Sequence, residues 1–163
     1  MSGKTAAVLC GIFALFVFIQ AHGQTKVDHG KSAESRGYVN VNGTVYYIDT
    51  FTVHRDEAKV ECEARNMSLI SFHQTPEKFD YTVSWLFTYG YEWDWMWTGA
   101  LKEVNSSVWI WEPTGEEFSY FRWGPDQPSV NDDSIRTCMD FNSRSAGWDD
   151  DDCEQYLLGF ICE

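Results

Sequence analysis

The chain has 163 residues, with 12 Lys and Arg against 25 Asp and Glu, a formal net charge of −13. That balance excludes a nucleic-acid binder, which needs a basic face to displace counterions from phosphate, and a binder of anionic membranes. Aromatic residues make up 17% of the chain and Trp occurs 8 times, so there is apolar surface for a core and wholesale disorder is excluded as well. What is left is a compact acidic domain that takes either a cation or an uncharged ligand.

Lys4 precedes an apolar run from Ala6 to Ile19. At about 14 residues this run is short of the roughly 20 that span a bilayer. Ala21-His22-Gly23 follows, with small residues where a signal peptidase reads. Residues 1–23 are therefore expected to be a secretory signal, cleaved before Gln24. The alternative, a membrane anchor, lacks a basic stop-transfer flank. Residues 24–37 are polar and read as a flexible lead-in. One domain is expected over 38–163, with no anchor after Glu163.

Secretion makes the cysteines informative. Of the 5, Cys10 leaves with the signal. Cys62, Cys138, Cys153 and Cys162 remain, and spacing alone leaves all three pairings open. The close Cys-x-x-Cys pairs of a structural zinc site are missing.

Val39, Val41, Val45, Tyr47 and Phe51 flank Asn42-Gly43, which predicts a hairpin. Asp56 to Arg65 reads as a helix with Ala58, Cys62 and Ala64 on its apolar side and Thr52 or His54 as cap. Thr75-Pro76-Glu77 opens a second helix, with a buried stripe of Phe79, Val83, Leu86 and Phe87. From Trp93 onward, Trp95, Trp97, Trp109, Trp111 and Trp123 alternate with polar residues and turn formers, as strands and loops do. Residues 126–154 are expected to be mostly loop and carry nine acids and two bases. Gly159-Phe160-Ile161-Cys162 closes the chain as a strand. The plan is α+β.

These residues, taken in order, resemble the C-type lectin-like domain. Glu57-Ala58 with Cys62 is similar to the family's first-helix signature, and Trp97-Thr98-Gly99-Ala100 to its Trp-Ile-Gly-Leu motif. Trp111, Gly115, Phe118, Tyr120 and Trp123 keep the family's order. Gln127-Pro128-Ser129 falls at the sugar-specificity triplet, Trp148-Asp149-Asp150 before Cys153 at the Trp-Asn-Asp calcium motif, and Phe160-Ile161-Cys162-Glu163 at the usual ending. The resemblance covers residues 38–163. It implies two helices packed on small antiparallel sheets with a long calcium and sugar loop region. It also implies the short form of the domain, with Cys62 paired to Cys162 and Cys138 to Cys153.

The resemblance further implies one Ca²⁺ site. Gln127, Ser129, Asp149 and Asp150 would be shared between ion and sugar, a cis peptide at Pro128 turning Gln127 and Ser129 toward the ion. This chemistry suits a hard cation that takes six to eight oxygens. Three departures stand out. Ser129 replaces Asp or Asn, Asp149 replaces Asn and loses an NH₂ donor, and Arg136 stands where an acidic ligand is expected. Asp133, or Asp132, is the candidate replacement. A second calcium site is lost, since Lys102 and Ser106 stand where it would want carboxylates.

The leading expectation is a secreted calcium-dependent lectin for glycans on cell or microbial surfaces, of innate-defence type, with galactose weakly preferred over mannose. Weak monovalent affinity makes oligomers or clustered ligands useful. The alternative is a domain without calcium that binds protein, mineral or ice. Trp97, Trp109, Trp111 and Trp123 are expected in the core, while Trp93 and Trp95 either pack, stack on sugar or anchor a partner. Asn42, Asn66 and Asn105 open glycosylation sequons. An enzyme is not expected: His54 and His73 stand outside any catalytic motif.

Overall fold

The computed structural model describes residues 36–73, 76–91, 94–118, 120–144 and 147–163. The expected signal, most of the lead-in, Thr75 and Trp93 lie outside them. Strand β1 (Arg36–Val41) begins within the expected lead-in, at Arg36, and pairs antiparallel with β2 (Thr44–Val53). The turn between them is Asn42-Gly43, with φ of 51° and 93°. Two positive φ values match the right-handed twist of a two-residue hairpin, and Asn-Gly tolerates them at little cost.

Helix α1 (Arg55–Glu63) follows directly. His54 is its N-cap, and Glu57 reaches back to accept the His54 N–H at 3.2 Å. Thr52, the other expected cap, stays in β2. Ala58 and Cys62 are buried against Leu69, Trp97, Leu101, Cys138 and Phe160. Helix α2 (Pro76–Tyr89) buries Phe79, Trp85 and Leu86 on the other core cluster, beside Trp111, Phe141 and Trp148. Phe87 departs from its expected stripe and is 56% exposed, with the Arg144 guanidinium 5.9 Å from its ring. The inward face runs through positions 79, 82 and 86, and 87 lies one step of about 100° beyond Leu86.

The remaining strands are β3 (Met96–Lys102), β4 (Trp109–Trp111), β5 (Glu116–Glu117), β6 (Thr137–Phe141), β7 (Asp149–Asp152) and β8 (Leu158–Cys162). They join β1 and β2 in one sheet ordered β1-β2-β8-β3-β4-β5, with β6 pairing β3 and then β7. This is one connected α+β sheet, and β3 with β8 is its parallel pair. Phe72 sits in the aromatic core, with the rings of Phe79, Phe141 and Trp111 at 5.2, 5.4 and 5.9 Å. Edge-on contacts of this kind contribute about 0.5–1.5 kcal/mol each beyond burial. Trp97, Trp109 and Trp111 are buried and Trp123 is partly so, whereas Trp95 is 40% exposed.

Two disulfides close the framework, Cys62 with Cys162 and Cys138 with Cys153. The first joins α1 to the last strand. The second ties β6 to the turn after β7, and so holds the two ends of the acidic segment together.

A network missed at the sequence level sits beside α1. Arg55 is fully buried, and its Nη1 donates to Glu112 Oε2 at 2.6 Å, while Lys59 donates to Glu112 Oε1 at 2.7 Å. A cavity of about 220 Å³ opens next to it, lined by Lys59, Glu63, Ser68, Leu69, Glu112 and Pro113. No residue of 124–136 lines it.

Candidate functional site

The acidic loop leaves the core at Trp123 and Gly124. Trp123 bridges to Trp148, the Gly124 N–H donates to Trp148 O at 2.8 Å, and the Trp148 N–H donates to Arg122 O at 2.7 Å. Gly147 permits this approach: a Cβ there would lie 2.4 Å from Arg122 O. The chain then turns through Asp126, at φ 62°, into a cis Gln127–Pro128 peptide. The Gln127 N–H returns to Gly124 O at 3.2 Å, and its Oε1 is buried with no donor reaching it.

Asp150 organises the next residues. It is 1% exposed, and its two carboxylate oxygens accept the backbone N–H groups of Ser129 at 2.5 Å and Val130 at 3.1 Å. Hydrogen bonds to a buried carboxylate are among the stronger kinds. Asn131 Nδ2 adds a bond to Ser129 O at 3.1 Å. Asp149 turns a different way: its Oδ1 accepts the Asp150 N–H at 2.9 Å. Burial raises the Asp149 carboxyl above its ordinary range, with the Asp150 charge adding to the rise and the Asp150 N–H opposing it.

The other expected ligands are engaged elsewhere. Asp133 Oδ1 accepts from Lys102 Nζ at 3.1 Å, and its side chain is 71% exposed. Asp132 takes the N–H and hydroxyl of Ser134, and those bonds lower its carboxyl. Arg136 donates to Asp56 Oδ2 on α1 at 2.6 Å. Burial pushes Asp56 upward, but the Arg136 and Arg55 guanidiniums outweigh it and hold the carboxyl below its usual range.

Under the loop, β6 and β7 place Asp140 opposite Asp149, with Asp151 two residues along on the same face. Asp140 is fully buried and no N–H or O–H of another residue reaches either oxygen. Burial raises its carboxyl well above the ordinary value, and the Asp151 and Asp149 charges add to the rise. Burial also raises the Asp151 carboxyl, and the Asp149 charge adds to the rise. Sequence reasoning misses Asp140. The signal is its register two residues after Cys138, on the face that carries that half-cystine.

The five expected ligands therefore separate. Ser129 and Asp150 meet, with Gln127 two residues from Ser129, while Asp133 is diverted to Lys102 and Asp149 to the backbone. Among the described residues no three acidic, His or Cys side chains are placed to hold one ion. A calcium cage needs six to eight oxygens free to converge. Both oxygens of Asp150 already carry N–H groups, and Lys102 and Arg136 are cations built into the surroundings. In this arrangement the five expected ligands do not converge on one ion.

Three exposed asparagines, Asn42, Asn66 and Asn105, have φ of 51°, 57° and 57° and lie in turns. Asn42 Nδ2 donates to Tyr81 Oη at 2.7 Å. Among the described residues no helix is long and apolar enough to cross a membrane.

The model of the lectin C-type domain matches residues 51–163. Among solved structures, the SPL-1–GlcNAc complex is similar at 24% identity, over 77% of this chain and 90% of that one, with a TM-score of 0.62. Human lithostathine is similar at 22% identity over 86% of this chain and 96% of that one, with a TM-score of 0.64. The Ca²⁺-independent C-type lectin SPL-2 from Saxidomus purpuratus is similar at 24% identity over 77% and 89%, with a TM-score of 0.59. The family model spans the paired cysteines, both helices and the acidic loop, and the chain belongs to the C-type lectin domain family.

Proposed function

We propose that this chain is a secreted recognition module that binds glycans at the Gln127–Val130 loop without needing calcium to form it. The observation that carries the reading is the Asp150 carboxylate, which holds the Ser129 and Val130 N–H groups from within the protein. Lys102 pairs with Asp133 and Arg136 with Asp56, so both carboxylates are balanced from within the protein. A sugar would meet Gln127, the exposed Ser129 hydroxyl and the Asp149 carboxylate, groups that exchange hydrogen bonds with sugar hydroxyls. Support for a glycan comes from the relative seen with GlcNAc, and support for calcium independence from the relative named for it.

The role is binding rather than catalysis, in keeping with a family of binding proteins. Secretion follows from the expected signal at residues 1–23, and the exposed sequons at Asn42, Asn66 and Asn105 are the expected glycosylation sites. Galactose, the sugar suggested by Gln127, is tested first, and clustered ligands on microbial surfaces are the proposed partners. The competing reading is the calcium-dependent lectin, favoured by the cis peptide at Pro128 and the orphaned Gln127 Oε1. A glycan array probed with residues 24–163, once in Ca²⁺ and once in EGTA, separates the two. Equal binding in both supports the proposal. Binding lost in EGTA establishes the calcium-dependent reading instead.

A further inference from the structure

Three strands, β1, β5 and β7, end the sheet on an edge with no partner strand among the described residues. They differ in length and charge. β5 is the pair Glu116–Glu117, and β7 is the run of Asp from 149 to 152. Two copies meeting along either would set carboxylate against carboxylate. β1 is six residues long, reads Arg-Gly-Tyr-Val-Asn-Val, and carries a single charge at Arg36. Open edges are ordinarily blunted by shortness, by charge or by Pro. β5 and β7 have such protection and β1 has little. In a chain of net charge −13, β1 is the edge strand that offers a second copy no carboxylate.

The hairpin decides which backbone groups of β1 are open. Its two-residue turn makes Val41–Thr44 the hydrogen-bonded closing pair, and antiparallel pairs alternate from there. Val41, Val39 and Gly37 therefore direct their N–H and C=O groups at β2. Asn40, Tyr38 and Arg36 direct theirs outward, and these three are also the exposed residues of the strand. Tyr38 is 64% exposed, more than any other large apolar side chain described. Its ring is nonetheless placed: it meets Tyr47 edge-on at 5.2 Å, and the Arg65 guanidinium lies 4.0 Å from the Tyr47 ring.

We propose that β1 is a self-association edge, at which two copies pair antiparallel about a two-fold axis at Tyr38. In that register Tyr38 faces Tyr38 of the second copy, and Arg36 faces Asn40. All the outward residues are matched, with about six backbone hydrogen bonds between copies. An axis at residue 37 or 39 leaves Asn40 or Arg36 without a β1 partner. The charge of each Arg36 meets an amide, so no like charges oppose each other. A contact of this kind is isologous and closes at the dimer. It is also small, so the dimer is reversible and concentration-dependent. The proposal stands independently of the glycan reading, although two copies would let weak sites act together.

The test is sedimentation velocity on residues 24–163 over a dilution series, with thermal melts to confirm that each variant folds. The wild type is expected to pass from monomer to dimer as concentration rises. Tyr38→Pro removes an outward N–H that β2 does not use, and is expected to weaken the dimer about tenfold. Tyr38→Lys and Tyr38→Glu each set like charges across the axis, and each is expected to be monomeric. Mixed in equal amounts, those two are expected to restore a dimer, which a merely structural role for Tyr38 would not produce. Wild type that stays monomeric throughout overturns the proposal. So does a dimer that persists in folded Tyr38→Lys and Tyr38→Glu alike, and so does a mixture of the two that remains monomeric.

Discussion

Two regions of this molecule treat their carboxylates in opposite ways. Beside α1, Asp56 and Glu112 are partly buried, yet guanidinium and ammonium partners overcome burial and hold both below their ordinary range. On β6 and β7, burial raises Asp140, Asp149 and Asp151, and neighbouring acids push the same way. The first region is acid-sensitive: its contribution is present above the unfolded carboxylate pKa and lost as pH falls through the lowered folded values. The second runs the other way. Its contribution is greatest below the unfolded pKa and is lost as pH rises through the raised folded values. A body balanced by internal cations thus supports an acidic strand pair that is not, and Asp150, with two N–H donors, is the well-satisfied acid between them.

The disulfides give the largest expected contrast. Cys62–Cys162 closes a separation of 100 residues and Cys138–Cys153 one of 15. Loop entropy predicts a loss of about 5 kcal/mol for the first and about 3 kcal/mol for the second. Paired Cys→Ala variants, unfolded in urea, measure both. A larger loss from the short bridge would place the critical constraint in the acidic segment instead of the body.

Asp150→Ala comes next. It removes the acceptor of two partly buried N–H groups, and a loss of about 1–3 kcal/mol is expected, in calcium-free buffer. If the residue serves only an ion, the variant is close to neutral there. Asp140→Asn is expected to act in the opposite direction. It replaces a carboxyl whose ionisation burial disfavours with a neutral amide, so stability rises by about 1–3 kcal/mol at pH 7. Because the Asp140 carboxyl is raised, the gain shrinks as pH falls through the raised folded value and is smallest below the ordinary Asp value of 3.8. Melts of both proteins from pH 3 to 8 show whether the gap grows with pH as required.

The body was legible in the sequence because it follows periodic rules. Asn42-Gly43 announces its hairpin, and Ala58 with Cys62 lies on one helical face. The loop was legible only in position. Gln127, Ser129, Asp149 and Asp150 could be named from a resemblance, but their partners depend on long-range contacts. Asp150 reaches back 21 residues to Ser129, Arg136 crosses 80 residues to Asp56, and Lys102 takes Asp133 from 31 residues away. No local pattern encodes those choices. Arg55 shows the same limit: a charged residue at a helix start reads as exposed, and only Glu112, 57 residues on, explains its burial.

The smallest effect is predicted for Lys102–Asp133. With Asp133 largely exposed, Asp133→Asn is expected to cost no more than about 0.5 kcal/mol. High salt is expected to erase the difference. A larger cost in calcium-free buffer would mean that the loop leans on this ion pair more than on Asp150.

The central claim is that the loop stands without calcium. The melting temperature of residues 24–163 in EGTA, in millimolar CaCl₂ and in MgCl₂ of equal ionic strength tests it directly, because an ion that binds the native state alone must raise apparent stability. One melting temperature is expected in all three buffers. A saturable rise in calcium alone, abolished by Asp150→Ala, would contradict the claim.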